Sequence, residues 1–197
     1  MSRCDELFDI VDASDRVIGQ APRSVCHGNP ALVHRVAHVL VVNGRGELLL
    51  QKRSANKDIQ PGKWDTSVGG HLDPGEDYLT AALREMAEEI GVSGVPLTFL
   101  YHSQMRNAIE SENIATYLAC YNGPLKANPI EIDELRFWTA VEIAAACGDG
   151  RLTPNFEQEW GLFCRWQQRY PVNTDAPLAL CAGDSFPDLL RRLQSDP

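Results

Sequence analysis

The stretch from Gly69 to Val92 constrains this chain more than any other. Leu79, Leu83, Met86 and Ile90, with Ala82 beside them, recur at helical spacing, so residues 77–90 read as a helix with one apolar stripe. Gly91 stands where such a helix stops. Glu85, Glu88 and Glu89 share a face next to that stripe, because helical residues three and four apart are neighbours. Each like-charge pair there costs roughly 0.2–0.5 kcal/mol, a cost that Lys or Gln would not carry. A divalent cation reverses the sign of the interaction, since Mg²⁺ and Mn²⁺ prefer hard oxygen ligands. Alone, Glu-x-x-Glu-Glu is an ordinary solvated acidic face; the residues upstream change its meaning. Gly69-Gly70 lets backbone approach a metal or a phosphate with no side chain in the way. Pro74-Gly75 turns the chain back toward the helix start, where Glu76 suits the helix dipole and lies within reach of Arg84.

Around this segment strands dominate. Residues 7–11 and 16–20 read as a hairpin turning through Asp12-Ala13-Ser14-Asp15, followed by a loop with Pro22, Gly28 and Pro30. Residues 36–42 are apolar on both faces apart from His38, the pattern of a central strand. Asn43-Gly44 turns into a second apolar strand over 47–52. A short strand at Ser67-Val68 runs into the glycines. Beyond the helix, strands are expected over 96–101, 114–120 and 136–138. Thr139-Ala140-Val141-Glu142 fits a capping box for a helix to about residue 147. Thr153-Pro154 opens a helix to about residue 170, residues 171–183 read as loop, and a last short helix follows Ser185. This order predicts an α+β fold, an α/β/α sandwich on a mixed sheet.

A chain of 197 residues suits one compact domain, and 44% hydrophobic with 23% charged residues is enough for a sizeable core. No run approaches the ~20 apolar residues that span a bilayer, and no apolar signal segment follows Met1. The expectation is a soluble cytoplasmic protein with no membrane association. The net charge of −9 argues against a nucleic-acid partner, which needs a basic footprint. Cys4, Cys26, Cys120, Cys147, Cys164 and Cys181 lie far apart with no Cys-x-x-Cys pair, which predicts reduced thiols and neither zinc nor a disulfide framework.

The segment GGHLDPGEDYLTAALREMAEEIGV resembles the Nudix box, G-x5-E-x7-R-E-U-x-E-E-x-G-U with U aliphatic. Gly70, Glu76, Arg84, Glu85, Met86, Glu88, Glu89, Gly91 and Val92 fill its fixed positions. The resemblance implies a loop-helix-loop docked on a mixed sheet and a hydrolase of diphosphate linkages. It implies that Glu85, Glu88 and Glu89 ligate Mg²⁺, with Mn²⁺ as a substitute, and that a carbonyl at Gly69 or Gly70 adds a ligand. Glu76 and Arg84 then pair to hold the loop against the helix. The metal neutralises the diphosphate and activates a water, while positioning and charge do the rest. For the general base, Glu89, Glu112, Glu131 and Glu134 are candidates. Domain bounds on this reading are 1–30 for the hairpin and loop, 31–150 for the Nudix domain, and 151–197 for a helical extension.

The likeness extends beyond the box. Leu7-Phe8-Asp9-Ile10-Val11-Asp12, Arg16-Val17-Ile18-Gly19, His34, Lys52-Arg53-Ser54 with Lys57, and Pro61-Gly62-Lys63-Trp64-Asp65 are similar to the isopentenyl-diphosphate-isomerase-like branch. That makes isomerase the chief rival. The isomerases supply acid and base as a cysteine and a glutamate, and the cysteine's position holds Gly69 here. His34 and His71 fall where isomerase metal-binding histidines lie. The intact box glutamates favour hydrolysis, both over isomerisation and over a non-catalytic nucleotide-binding domain. The implied substrate is a small-molecule diphosphate, first a nucleoside di- or triphosphate, and Lys57, Trp64, Tyr101 and Arg106 are candidates for its pocket. Homodimers are common in the family, and no sequence feature decides the point.

Overall fold

The computed structural model describes residues 6–57 and 59–169. A two-stranded antiparallel hairpin, β1 (Leu7–Val11) and β2 (Val17–Pro22), leads through a single helical turn, α1 (Arg23–Cys26), to the main sheet. That sheet contains β3 (Val33–Val42), β4 (Leu48–Arg53), β5 (Trp64–Asp65), β6 (Val68–His71), β7 (Thr98–Arg106), β8 (Ser111–Cys120) and β9 (Ile132–Trp138). Helix α2 (Tyr78–Ile90) separates β6 from β7, and α3 (Ala140–Ala146) and α4 (Pro154–Arg169) follow β9. The order along the sheet is β5-β4-β3-β8-β7, with β6 also on β3 and β9 also on β4. β3 and β8 run parallel over their full length while the other pairs are antiparallel, so the sheet is mixed.

Alternation along β3 sends its side chains to two cores, as a strand buried on both faces requires. Ala37, Val39 and Val41 meet Ala81, Ala82, Met86 and Ile90 of α2. Leu40 and Val42 meet Ile143 of α3 and Phe156, Trp160 and Phe163 of α4. The result is the α/β/α sandwich expected from the order of elements. One edge of β3 is filled by β8. The other is shared, with β4 joined at Val42–Leu48 and β6 along Val36–Val39. The sheet therefore splits between β4 and β6, and that split forms the floor of the cleft described below.

Several expectations need correction. The stripe of Leu79, Leu83, Met86 and Ile90 is only half a buried face: Met86 and Ile90 are buried, whereas Leu79 and Leu83 are exposed. The alanines Ala81 and Ala82 turn to the sheet instead, and their small side chains let the helix backbone lie close to β3. The loop after β2 contains α1. β3 starts at Val33 and β7 continues to Arg106, because pairing with β8 carries both past their apolar segments. Cys26, Cys147 and Cys164 are free thiols, but Cys120 is disulfide-bonded, so the expectation of reduced thiols throughout fails there. The expected loop over 171–183 and the helix after Ser185 lie outside the described residues. No described helix is long and apolar enough to cross a membrane.

Candidate active site

Helix α2 starts cleanly because the Asp77 carboxylate accepts hydrogen bonds from the Leu79 and Thr80 N–H groups, and it ends at Gly91, whose φ of 70° suits glycine. Between these caps the helix lays Glu85 and Glu89 against β6. A Cβ on Gly70 would sit 1.9 Å from Glu85 Cδ, so the carboxylate occupies the space that any other residue at 70 would fill. Glu89, buried at 4% exposure, spans the split in the sheet: its Oε2 accepts from Gln51 Nε2 on β4 at 3.0 Å and from Gly69 N–H on β6 at 3.2 Å. Burial pushes Glu85 up to about 7 against the pull of Arg84. Burial, with Glu85 adding to it, pushes Glu89 up to about 8. Glu88 is the exposed member, 3.5 Å from Arg84.

Arg84 ties helix to loop. Its Nε and Nη2 donate to the two oxygens of Glu76 at 3.0 and 2.8 Å, Nη1 to Glu85 at 2.7 Å, and Nη2 also to the His71 carbonyl at 3.0 Å. Such a two-pronged bond is specific to a guanidinium. Burial alone would raise Glu76, and the Arg84 bonds override it and hold it low. The loop is also held from the hairpin, since Asp9 accepts from the Gly75 N–H at 2.8 Å.

A second group of ligand atoms opens onto the same cleft, of about 690 Å³, through His27, His71, Glu110 and Glu112. The ring nitrogens of His27, His34 and His71 lie within 4.8 Å of one another. Nε2 of each is buried without a hydrogen-bond partner. Glu110 is 3.4 Å from His27, and Glu112 is 3.7 Å from His34 and 3.6 Å from His71. Burial, then Arg23, pushes His27 down to about 3, and burial pushes His71 down to about 4, which keeps both rings neutral. Burial works to raise Glu112, and the ring N–H dipoles of His34 and His71, turned toward it from 3.7 and 3.6 Å, override it and hold it well below the usual range. Imidazoles with buried, orphaned nitrogens beside carboxylates are a donor set that fits a divalent transition ion. Arg23 donates to His71 Nδ1 at 3.2 Å, so an ion at His71 Nε2 requires Arg23 to turn fully to its other partner, Glu6, at 3.1 Å.

Glu85, Glu88, Glu89, Arg84, Gly69 and Gly70 all line the cleft, together with Glu112, Glu131, Lys57 and Arg53. Lys57 is bonded to Glu131 at 2.6 Å, and Arg53 to Asp65 at 3.0 Å. Other sequence candidates stand elsewhere. Glu134 is exposed on β9 opposite Lys52. Trp64 packs edge-on against Trp138 in the core, and Tyr101 packs against the same core. Arg106 spends its guanidinium on the Met105 and Glu112 carbonyls and on Asn113. Each of the four is placed by its strand's register, which sequence alone does not reveal. His27, His38 and Glu110 also line the cleft, and nothing in the sequence marks them as site residues. They come from α1's end, β3 and the loop before β8, and no fixed spacing links them.

The NUDIX domain family model matches residues 32–156. An uncharacterised Nudix hydrolase of Yersinia pestis is 36% identical over 168 residues, covering 79% of this chain and 91% of the relative. An isopentenyl-diphosphate Delta-isomerase of Streptomyces avermitilis is 33% identical over 144 residues, covering 70% and 73%. Among solved structures, DR0079 from Deinococcus radiodurans superposes with a TM-score of 0.70 at 25% identity, over 80% of this chain and 98% of that one.

Proposed function

The chain belongs to the NUDIX domain family, and on that premise we propose that it hydrolyses a diphosphate linkage with Mg²⁺ held by Glu85, Glu88 and Glu89. The observation that carries the reading is the contact of Glu85 with Gly70 beside a buried Glu89. Two carboxylates are desolvated and pushed toward neutral pH at the mouth of a split sheet, an arrangement unfavourable for a folded chain unless a cation offsets it. The Gly69 or Gly70 carbonyl is a further ligand on this reading. The ion, when bound, neutralises the diphosphate and makes water a better nucleophile. Arg84 holds Glu85 and the loop in register, and Arg53 and Lys57 offer positive charge to the phosphates. Of the four glutamates considered as base, Glu89, Glu112 and Glu131 line the cleft, so the base is sought among them.

The substrate class is a nucleoside di- or triphosphate or a related linked diphosphate. Double-bond isomerisation is disfavoured because Gly69 offers no proton-carrying side chain. The orphaned imidazoles of His27, His34 and His71 support a second, softer ion close to the first. Its check is metal analysis of the purified protein: a transition ion is expected, and His34→Ala is expected to remove it.

Mg²⁺-dependent phosphate release across nucleoside di- and triphosphates and other diphosphates tests the main reading. Glu88→Gln and Glu89→Gln are expected to lower the rate on the best substrate by roughly 10²-fold or more. Unchanged rates in both variants overturn the metal assignment, and isomerised product from isopentenyl diphosphate overturns the hydrolase reading.

A further inference from the structure

Of the histidines that line the cleft, His38 lies outside the group that His27 and His71 form with His34. On β3 it is paired across to Gly69 of β6 and to Thr116 of β8, so these residues share one row on the α4 side of the sheet. Glu159 reaches down onto that row from α4. Its Oε2 lies 3.0 Å from His38 Nδ1, and its Oε1 accepts from Thr116 Oγ1 at 2.9 Å. With Nδ1 committed to Glu159, the opposite edge of the ring faces Gly69. A Cβ built on Gly69 would lie 3.2 Å from His38 Cδ2 and 3.3 Å from Nε2. The N–H of that same glycine is bonded to Glu89. One residue without a side chain thus separates a box glutamate from a braced imidazole, and any other residue there would crowd the ring.

Anchoring α4 is the plain alternative for this pair. Phe156, Trp160 and Phe163 already fix α4 against the sheet, and a buried ion pair adds little stability over apolar packing. What a carboxylate on one imidazole nitrogen does supply is a fixed ring orientation and a defined role for the other nitrogen.

We propose that His38 is a further substrate-contacting residue, held by Glu159 and Thr116 so that Nε2–H donates to a phosphoryl oxygen of the diphosphate bound beside Gly69 and Glu89. This rests on the diphosphate-hydrolase reading above. Glu159 is then a positioning residue acting through His38, and the absence of a side chain at Gly69 keeps Nε2 open to the cleft.

Two amide substitutions separate contact from scaffold. The Asn amide stands near Nδ1, so His38→Asn retains a donor to Glu159 and lacks the cleft-facing nitrogen. The Gln amide reaches toward Nε2, so His38→Gln retains the cleft-facing donor. The probe is methylenediphosphonate with Mg²⁺, followed by calorimetry and by the histidine ring ¹⁵N resonances of the full chain. His38→Asn is expected to bind about tenfold or more weakly, the strength of one charge-assisted hydrogen bond, with an unchanged thermal midpoint. His38→Gln is expected to recover most of the affinity, and in the wild type His38 Nε2 is expected to shift on binding while Nδ1 stays. Equal binding by His38→Asn, or an unmoved Nε2 when the probe binds, overturns the proposal and leaves the hydrolase reading intact. Loss of binding in both variants in step with a lower thermal midpoint makes the pair scaffold only and also overturns it. A wild type that does not bind the probe overturns both readings together.

Discussion

Gly70 has less room than any other glycine in the site, because the Glu85 carboxyl group fills the place of its missing side chain. Gly70→Ala must push Glu85 off the cleft wall, and a displacement of an ångström costs about 100-fold in rate. That loss is expected in Mg²⁺-dependent phosphate release, with far-UV circular dichroism unchanged. Arg84 shows a different dependence. It makes bonds to Glu76, Glu85 and the His71 carbonyl from one planar group, so Arg84→Lys keeps the charge and loses the fork. A stability loss of about 1–3 kcal/mol is expected in urea denaturation. The sequence made the Glu76–Arg84 pair legible because both lie on one continuous segment. It could not show the His71 carbonyl as a third partner, which depends on how β6 leaves the sheet.

At the level of elements, α2 shows where a periodic pattern misleads. Four apolar residues at helical spacing suggested one buried stripe, but the sheet takes Ala81, Ala82, Met86 and Ile90 and leaves Leu79 and Leu83 outside. Alanines permit close approach, and that geometry brings Glu85 and Glu89 to β6. Met86→Ala is accordingly expected to cost about 2–5 kcal/mol. Leu83→Lys should stay within about 0.5 kcal/mol, despite replacing what reads as a core leucine. Urea midpoints of the two variants check the pair of expectations. The α3 boundary was legible because the capping box at Thr139 and Glu142 is a local interaction, and both of its bonds are present.

The whole molecule gathers titratable groups that no element holds alone. Without metal, Glu85 and Glu89 titrate at about 7 and 8 when folded, above an ordinary 4.5, and His38 at about 9 rather than 6.5, where Glu159 overcomes the effect of burial. All three groups bind protons more tightly in the folded chain, so stability is lost as pH rises through these values. Below 6.5 the depressed His27 and His71 act in the other direction, because the unfolded chain protonates first. The metal-free protein is therefore expected to lose several kcal/mol between pH 6.5 and 9. Saturating Mg²⁺ should remove the share of that slope due to Glu85 and Glu89, by taking the place of their protons, and leave the share due to His38. Thermal midpoints with and without chelator check it, and a flat metal-free profile contradicts the assignment.

The sequence by itself determined the loop-helix-loop and its glutamates, because turn residues, helix period and caps are short-range interactions along one segment. It determined the layered architecture as well, through the alternation of strand and helix patterns. Tertiary structure alone decided that Trp64, Tyr101 and Arg106 face away from the cleft, since strand register sets which side of a sheet a residue occupies. It also decided that His27, His34, His71, Glu110 and Glu112 converge, and that Glu159 reaches His38 from a helix far along the chain. Those contacts form only when the sheet closes, and their spacing in the chain carries no trace of their distance in space.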